Sequence, residues 1–189
     1  MGIMGGFLSF ACCFALLLWI WHEHNVFSRR YGLQDGVTVV LNGALLSVVL
    51  FYVYPLKFMF DSMFARFVPE VKTRRCRWRC TNLANASAVY ALGFIIMFVM
   101  FMLLYARAYG KRHELGLTEP EIFDLTSLAG HHMVSTVVGT VALIIAVAAP
   151  LPLAFWSPTS LSLMGPGHFA WGMVRARRRK ALEADLAVV

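Results

Sequence analysis

The chain has 189 residues, of which 59% are apolar and 14% are charged, and its mean hydropathy is +0.67. Soluble domains average about 45–50% apolar and about 25% charged residues, so this composition excludes an ordinary soluble domain and indicates an all-α, polytopic membrane protein. The length accommodates one domain of about four to six membrane spans with short loops, but no separate catalytic domain of ordinary size. We therefore expect no enzyme activity and no catalytic residues.

Positive charges give the chain a net charge of +7. Such an excess could serve nucleic-acid binding, but the Lys and Arg residues stand in the predicted loops beside apolar stretches, as membrane topology alone requires. We therefore expect the lipid bilayer, and not nucleic acid, as a partner.

The first 106 residues contain three uncharged stretches that predict membrane-spanning helices. Met1 to His22 and Gly36 to Leu56 carry no charged residue, and each is about long enough to cross a bilayer. Cys80 to Ala106 is the clearest span, because it is uncharged for 27 residues and can cross with some tilt.

A longer uncharged stretch, Leu125 to Val174, runs for 50 residues. As a single helix it would be about 75 Å long at 1.5 Å per residue, too long for one crossing, so the chain must turn within it. Pro150, Pro152 and Pro158 mark the turn. The five predicted spans of this single transmembrane domain are residues 3–22, 37–56, 84–106, 130–150 and 160–174.

A helix start is predicted just before the fourth span. Thr118 stands three residues before Glu121, which is the spacing of a capping box, and Pro120 lies in the first turn. These residues predict a short amphipathic helix from Glu119 to about Leu128, with its acidic residues acting as caps.

The positive charges also predict an orientation. With five spans, ten Lys and Arg residues fall on one side of the membrane and seven on the other, and the richer side is expected to be cytoplasmic. The N-terminus would then lie outside and the C-terminus inside. With only four spans, the orientation would invert.

The first two predicted spans form a hairpin that holds the unusual polar residues. Trp21 and His24 are three residues apart and share a helix face, while Asp35 and Asn42 are seven apart and share another. Polar groups near or inside the hydrocarbon are costly and often functional, which makes these four the candidate site residues. For Asn42 two roles stay open: a structural hydrogen bond between helices, worth about 1 kcal/mol, or support of a permeation path.

The order of these residues resembles one known family, the transmembrane protein 175 class of potassium channels. The resemblance lies in an apolar helix ending in W-x-x-H, a basic turn with an Asp, and a helix that carries an Asn and closes on a Pro. In that family the second helix ends with Trp and His, here Trp21 and His24. The third helix carries an Asn and ends near a Pro, here Asn42 and Pro55.

The resemblance implies passive potassium flux through a homo-oligomeric pore, without a cofactor, in the cytoplasmic membrane of a bacterium. The family's most specific signature, an Arg followed by Phe-Ser-Asp on a pore-lining first helix, is not in this sequence, which opens where the second helix would stand. We therefore expect residues 1–189 alone not to form a selective pore. The residues expected to support a pore helix or pack between helices are Trp21, His24, Asp35 and Asn42.

Two other functions stay open. One is a non-conducting, truncated or diverged multi-pass membrane assembly protein. The weaker alternative is a haem-binding membrane protein, since imidazole is a good axial ligand and five of the six histidines lie near or within predicted spans. Membrane haem proteins usually place histidine pairs on facing helices, whereas these pairs cluster at the ends of two apolar runs. We therefore expect no metal ligand and no cofactor.

Overall fold

The structure, a computed structural model, describes residues 2–64, 76–148 and 163–186. No strand occurs within these ranges, and nearly all of their residues lie in long helices, so the prediction of an all-α fold is confirmed. The helices are α1 (Gly2–Tyr31), α2 (Gly36–Phe64), α3 (Cys76–Gly110), α4 (Glu119–Ala148) and α5 (Met164–Leu186).

The turn between α1 and α2 follows from local chemistry. Gly32 adopts a positive φ of 54° and donates its backbone N–H to the carbonyl of Ser28 at 3.0 Å, which closes the end of α1. Arg29 and Arg30 lie in the last turn, where positive charge interacts favourably with the helix dipole. The chain can therefore reverse within four residues and begin α2 at the same end of the bundle.

The capping box at the start of α4 is present. Glu121 accepts hydrogen bonds from both the backbone N–H and the hydroxyl of Thr118, each at 2.8 Å. The prediction of a short helix ending near Leu128 is wrong, because α4 continues without a break to Ala148. Gly130, which stands where the two helices were expected to separate, costs about 1 kcal/mol in a helix but does not stop one.

The core is built on α3, which packs between α2 and α4, while α1 packs on α2 and α5 packs on α4. The inner face of α3 is aromatic and fully buried, with Phe101 and Tyr105 each only 1% exposed. Phe27 of α1 meets Tyr105 edge-to-face, with ring centroids 5.1 Å apart. The first helix is therefore held against the central helix near the ends of both.

The last helix runs antiparallel to α4, as three contacts show. The side chains of His168 and Ser135 come within 3.1 Å, Trp171 donates to the carbonyl of Ser127 at 3.0 Å, and Arg175 binds Asp124. Arg175 thus lies at the end of the bundle where α1 ends and α4 begins. We call this end, which contains Arg30, Arg107 and Arg175, the basic end.

Four described helices contain a stretch that is long and apolar enough to cross a membrane, and the chain is a multi-pass membrane protein. The fifth predicted span starts at residue 160, within residues 149–162, which lie outside the described residues together with the three prolines of the predicted turn. Five crossings therefore stay a prediction. The four candidate stretches are Phe7–Tyr31, Gly36–Asp61, Asn85–Gly110 and Glu119–Ala148.

Reporter fusions should place the two ends of the bundle in different compartments. A fusion after Val189 comes after α5, which runs toward the basic end. A fusion after Lys72 lies in the connection between α2 and α3. We expect a cytoplasmic signal after Val189 and an external signal after Lys72, because ten positive charges belong to the first side and seven to the second. A fusion after Leu33 is the internal control and should report with Val189. Signals from one compartment at Val189 and Lys72 would contradict the five-span topology.

Candidate functional site

Four buried side-chain polar atoms of the α1–α2 hairpin have no hydrogen-bond partner among the described residues: Nδ1 of His24, Oδ1 of Asn42 and the hydroxyl oxygens of Tyr31 and Tyr52. Nδ1 of His24 and Oδ1 of Asn42 belong to predicted site residues. His24 lies seven residues before the end of α1 and Asn42 six after the start of α2, so both lie at a similar depth, about 10 Å from the turn. Buried polar groups are normally paired, so these two atoms mark a place where a further helix can contribute partners.

The surface of this hairpin is apolar and open. Trp21 is 61% exposed, whereas His24, three residues further along α1, is half-buried. On α2, Val40 is 71% exposed and Leu46 is 59% exposed. Apolar side chains around unpaired polar atoms are what a helix-packing surface in a membrane requires.

Asp35 lies directly before the first residue of α2, and its place on one face with Asn42 stays a prediction. Its Oδ1 accepts a hydrogen bond from the Thr38 hydroxyl. Its Oδ2 also accepts from Arg107 of α3, at 2.7 Å from Nη2 and 3.1 Å from Nε. Asp35 therefore fastens the turn of the hairpin to the end of α3, 72 residues further along the chain.

The partners of Asp35 determine how this contact depends on pH. Hydrogen bonds from Thr38 and Arg107 hold the pKa of the Asp35 carboxyl below its usual range. Because the folded-state pKa is the lower one, the stabilisation is complete above the ordinary pKa of an aspartate and is lost as the pH falls through the folded value. The contact is therefore intact at neutral pH.

A second charged contact, centred on Asp124, was missed by the sequence prediction, which treated the acidic residues of this helix as caps. One carboxylate oxygen of Asp124 binds Arg30 of α1 at 2.9 Å, and the other binds Arg175 of α5 at 2.8 Å. Arg179 stands at 3.9 Å, and the Asp124 side chain is 14% exposed. The sequence did contain a sign that Asp124 has another role than capping. Asp124 is the sixth residue of α4 and lies beyond the first turn, in which a cap can act.

The histidines of α4 and α5 pack as aromatic rings. His132 is 1% exposed and stacks on Phe101 of α3, with centroids 5.0 Å apart. His131 stacks on His168 of α5, with ring centroids 3.8 Å apart. Nε2 of His168 lies 3.1 Å from the hydroxyl oxygen of Ser135. Within the described ranges no three His, Cys, Asp or Glu side chains form a group that could hold a metal ion. These histidines join α3, α4 and α5 in one buried cluster.

The chain is similar to known proteins in both sequence and structure. A protein named "Potassium channel" from Marivirga tractuosa is 38% identical over an alignment of 154 residues that covers 76% of this chain and 60% of that protein. The chain thus spans about 60% of the length of this curated relative. The crystal structure of the potassium channel MtTMEM175, a T38A variant bound to a nanobody fusion, superimposes with a TM-score of 0.77 and 32% identity, covering 92% of this chain and 79% of that chain. No family model matches the sequence.

Proposed function

The chain belongs to the transmembrane protein 175 family of potassium channels, and from this premise we propose that it is a subunit of a channel for passive potassium flux. The observation that carries the proposal is agreement in both sequence and fold with proteins named as potassium channels, over most of this chain. The direct test is potassium flux in liposomes under a potassium gradient, with the chain joined to an upstream helix that carries the family's Arg and Phe-Ser-Asp, and with a sodium gradient as the comparison.

We propose that the α1–α2 hairpin supports a pore-lining helix. His24 and Asn42 each leave a buried polar atom for a neighbouring helix to pair with, at nearly the same depth. Trp21 offers a large exposed ring beside them, and Asp35 holds the hairpin turn against α3 through Arg107. In this role the four residues position a helix and do not coordinate the ion.

The ion pathway itself needs groups that compensate potassium for its lost hydration. The uncharged stretches of α1 to α4 offer no ring of acidic side chains for this purpose. In the family that the sequence resembles, the Phe-Ser-Asp helix lines the narrow part of the pore. We propose that this helix supplies the pathway and that the five described helices form the frame around it.

We propose a homo-oligomer in the cytoplasmic membrane of a bacterium. Closed rings of identical subunits are the common way to build a central pore, because each subunit contributes the same lining segment. The relative from Marivirga tractuosa supports a bacterial membrane.

Asn42→Leu tests the supporting role of the hairpin. We expect weaker association between helices, by about 1 kcal/mol, because the amide no longer pairs across the interface. The melting temperature in detergent should fall by about 2–4 °C for a chain of this size, and the oligomer should dissociate more readily. Both are measured by size-exclusion chromatography after a temperature series.

Ser47→Ala is the matched control on the same helix. The Ser47 hydroxyl donates to the carbonyl of Gly43 within α2 at 2.9 Å, so its loss removes no contact between helices. The control should melt like the unmodified protein. An Asn42→Leu variant with an unchanged melting temperature and an unchanged oligomer would place Asn42 against water instead of a helix.

A further inference from the structure

A cleft lies between α4 and α5 at the basic end. Its volume is about 160 Å³. The α5 residues that line it are spaced at i, i+3, i+4 and i+7, so one face of that helix forms a wall. The lining residues are Phe123, Thr126 and Ser127 of α4 and Trp171, Val174, Arg175 and Arg178 of α5.

The surroundings of the cleft carry an excess of positive charge. Asp124 is a single carboxylate, yet Arg30 and Arg175 both bind it and Arg179 stands within 4 Å. Arg178 is exposed in the cleft wall and forms no ion pair with any described residue. Guanidinium groups present several N–H donors in a planar fork that suits the oxygens of a phosphate. Arg178 is therefore available to bind an anion, and the charges around Asp124 beside it are already net positive.

Apolar residues beside the cleft favour a lipid. Trp171 keeps its indole N–H on the carbonyl of Ser127, as a Trp does at a membrane interface, where one edge of the ring is polar and the other apolar. Toward the middle of the bundle, Met133 and Val137 lie seven and eleven residues beyond Thr126 of the cleft, on the same face of α4, and are 56% and 54% exposed. An arginine pair followed by exposed apolar side chains matches the order of groups in a phospholipid, from its phosphate to its acyl chains.

We propose that the cleft between α4 and α5 binds the phosphate of an anionic phospholipid from the leaflet at the basic end. Arg178 donates to the phosphate oxygens, and Arg175 shares its remaining N–H groups between the phosphate and Asp124. The acyl chains lie along Met133 and Val137. This site does not depend on ion conduction and would exist whether or not the protein conducts.

Native mass spectrometry of the full chain in detergent tests the proposal. The probes are dioleoyl phosphatidylglycerol and dioleoyl phosphatidylcholine, which share acyl chains but differ in net charge. We expect preferential retention of phosphatidylglycerol and a loss of affinity of about fivefold in Arg178→Gln, since one basic side chain near the membrane surface contributes about 1 kcal/mol. Arg177→Gln is the matched control, because Arg177 is exposed on the same helix but does not line the cleft.

Each other outcome has a defined meaning. Equal retention of the two lipids would overturn the site, because the charge of the head group would then have no effect. Equal losses in Arg178→Gln and Arg177→Gln would also overturn it, because charge alone and not the cleft would then attract the lipid. Displacement of phosphatidylglycerol by inorganic phosphate would assign the cleft to a free anion and overturn the lipid assignment. Retention of the lipid in excess phosphate, together with selective loss in Arg178→Gln, supports it.

Discussion

Liposomes that contain residues 1–189 alone should show potassium flux close to that of empty liposomes. The same residues joined to an upstream helix with the family's Arg and Phe-Ser-Asp should conduct well above that background. The physical reason is that the uncharged stretches of α1 to α4 offer no ring of acidic side chains to replace the ion's hydration shell, whereas the hairpin leaves His24 and Asn42 available to hold such a helix. Flux is measured with a potassium-sensitive dye under a potassium gradient.

Two controls sharpen this measurement. Empty liposomes define the leak, and a sodium gradient of the same size defines selectivity. Robust potassium flux in excess of sodium flux from residues 1–189 alone would contradict the prediction. The helix that bears Asn42 and Ser47 would then be the first candidate for the pore lining.

Gly130→Ala should lower the melting temperature by several degrees. A Cβ at position 130 would lie 2.1 Å from Cζ2 of Trp171 and 2.7 Å from its Cη2, far inside contact distance. The indole cannot simply turn away, because its N–H is bound to the carbonyl of Ser127. Overpacking of this kind costs about 1–3 kcal/mol or more, against a gain of about 0.5–1 kcal/mol from replacing Gly in a helix. The net loss shifts the melting temperature by about 2–4 °C per kcal/mol.

Gly172→Ala is the control for helix propensity, because a Cβ there meets nothing within 4 Å. It should leave the melting temperature unchanged or raise it. If Gly130→Ala melts no lower than Gly172→Ala, α5 does not pack on α4 at this position.

The sequence predicted the helices from their apolar interiors but not their ends. Long uncharged stretches indicate where a chain can lie in hydrocarbon, and the described residues of the first four predicted spans lie within α1, α2, α3 and α4. The length of a helix, however, is set by its backbone hydrogen bonds, which can continue beyond the apolar stretch. The uncharged stretch of α1 ends at His22, but the helix continues through Glu23, Arg29 and Arg30 to Tyr31, nine residues or about two and a half turns further.

The candidate site could be predicted only in part. His24 and Asn42 were identified because polar residues inside apolar stretches are rare and costly. The pairs that fasten the bundle were not, because Asp35 and Arg107 are 72 residues apart and no local pattern connects them. Asp124 likewise forms an ion pair with Arg30, which is 94 residues away in the sequence. Contacts of this range depend on how helices pack, and helix packing in lipid depends on shape more than on sequence periodicity.

The chain leaves the ribosome N-terminus first, so Asp124 meets its two closest partners at different times. Arg30 is already present when Asp124 emerges, whereas Arg175 follows 51 residues later. The contact between α1 and α4 can therefore form while α5 is still being synthesised, and one carboxylate oxygen stays available. When α5 is complete, Arg175 can bind the carboxylate oxygen that Arg30 leaves available.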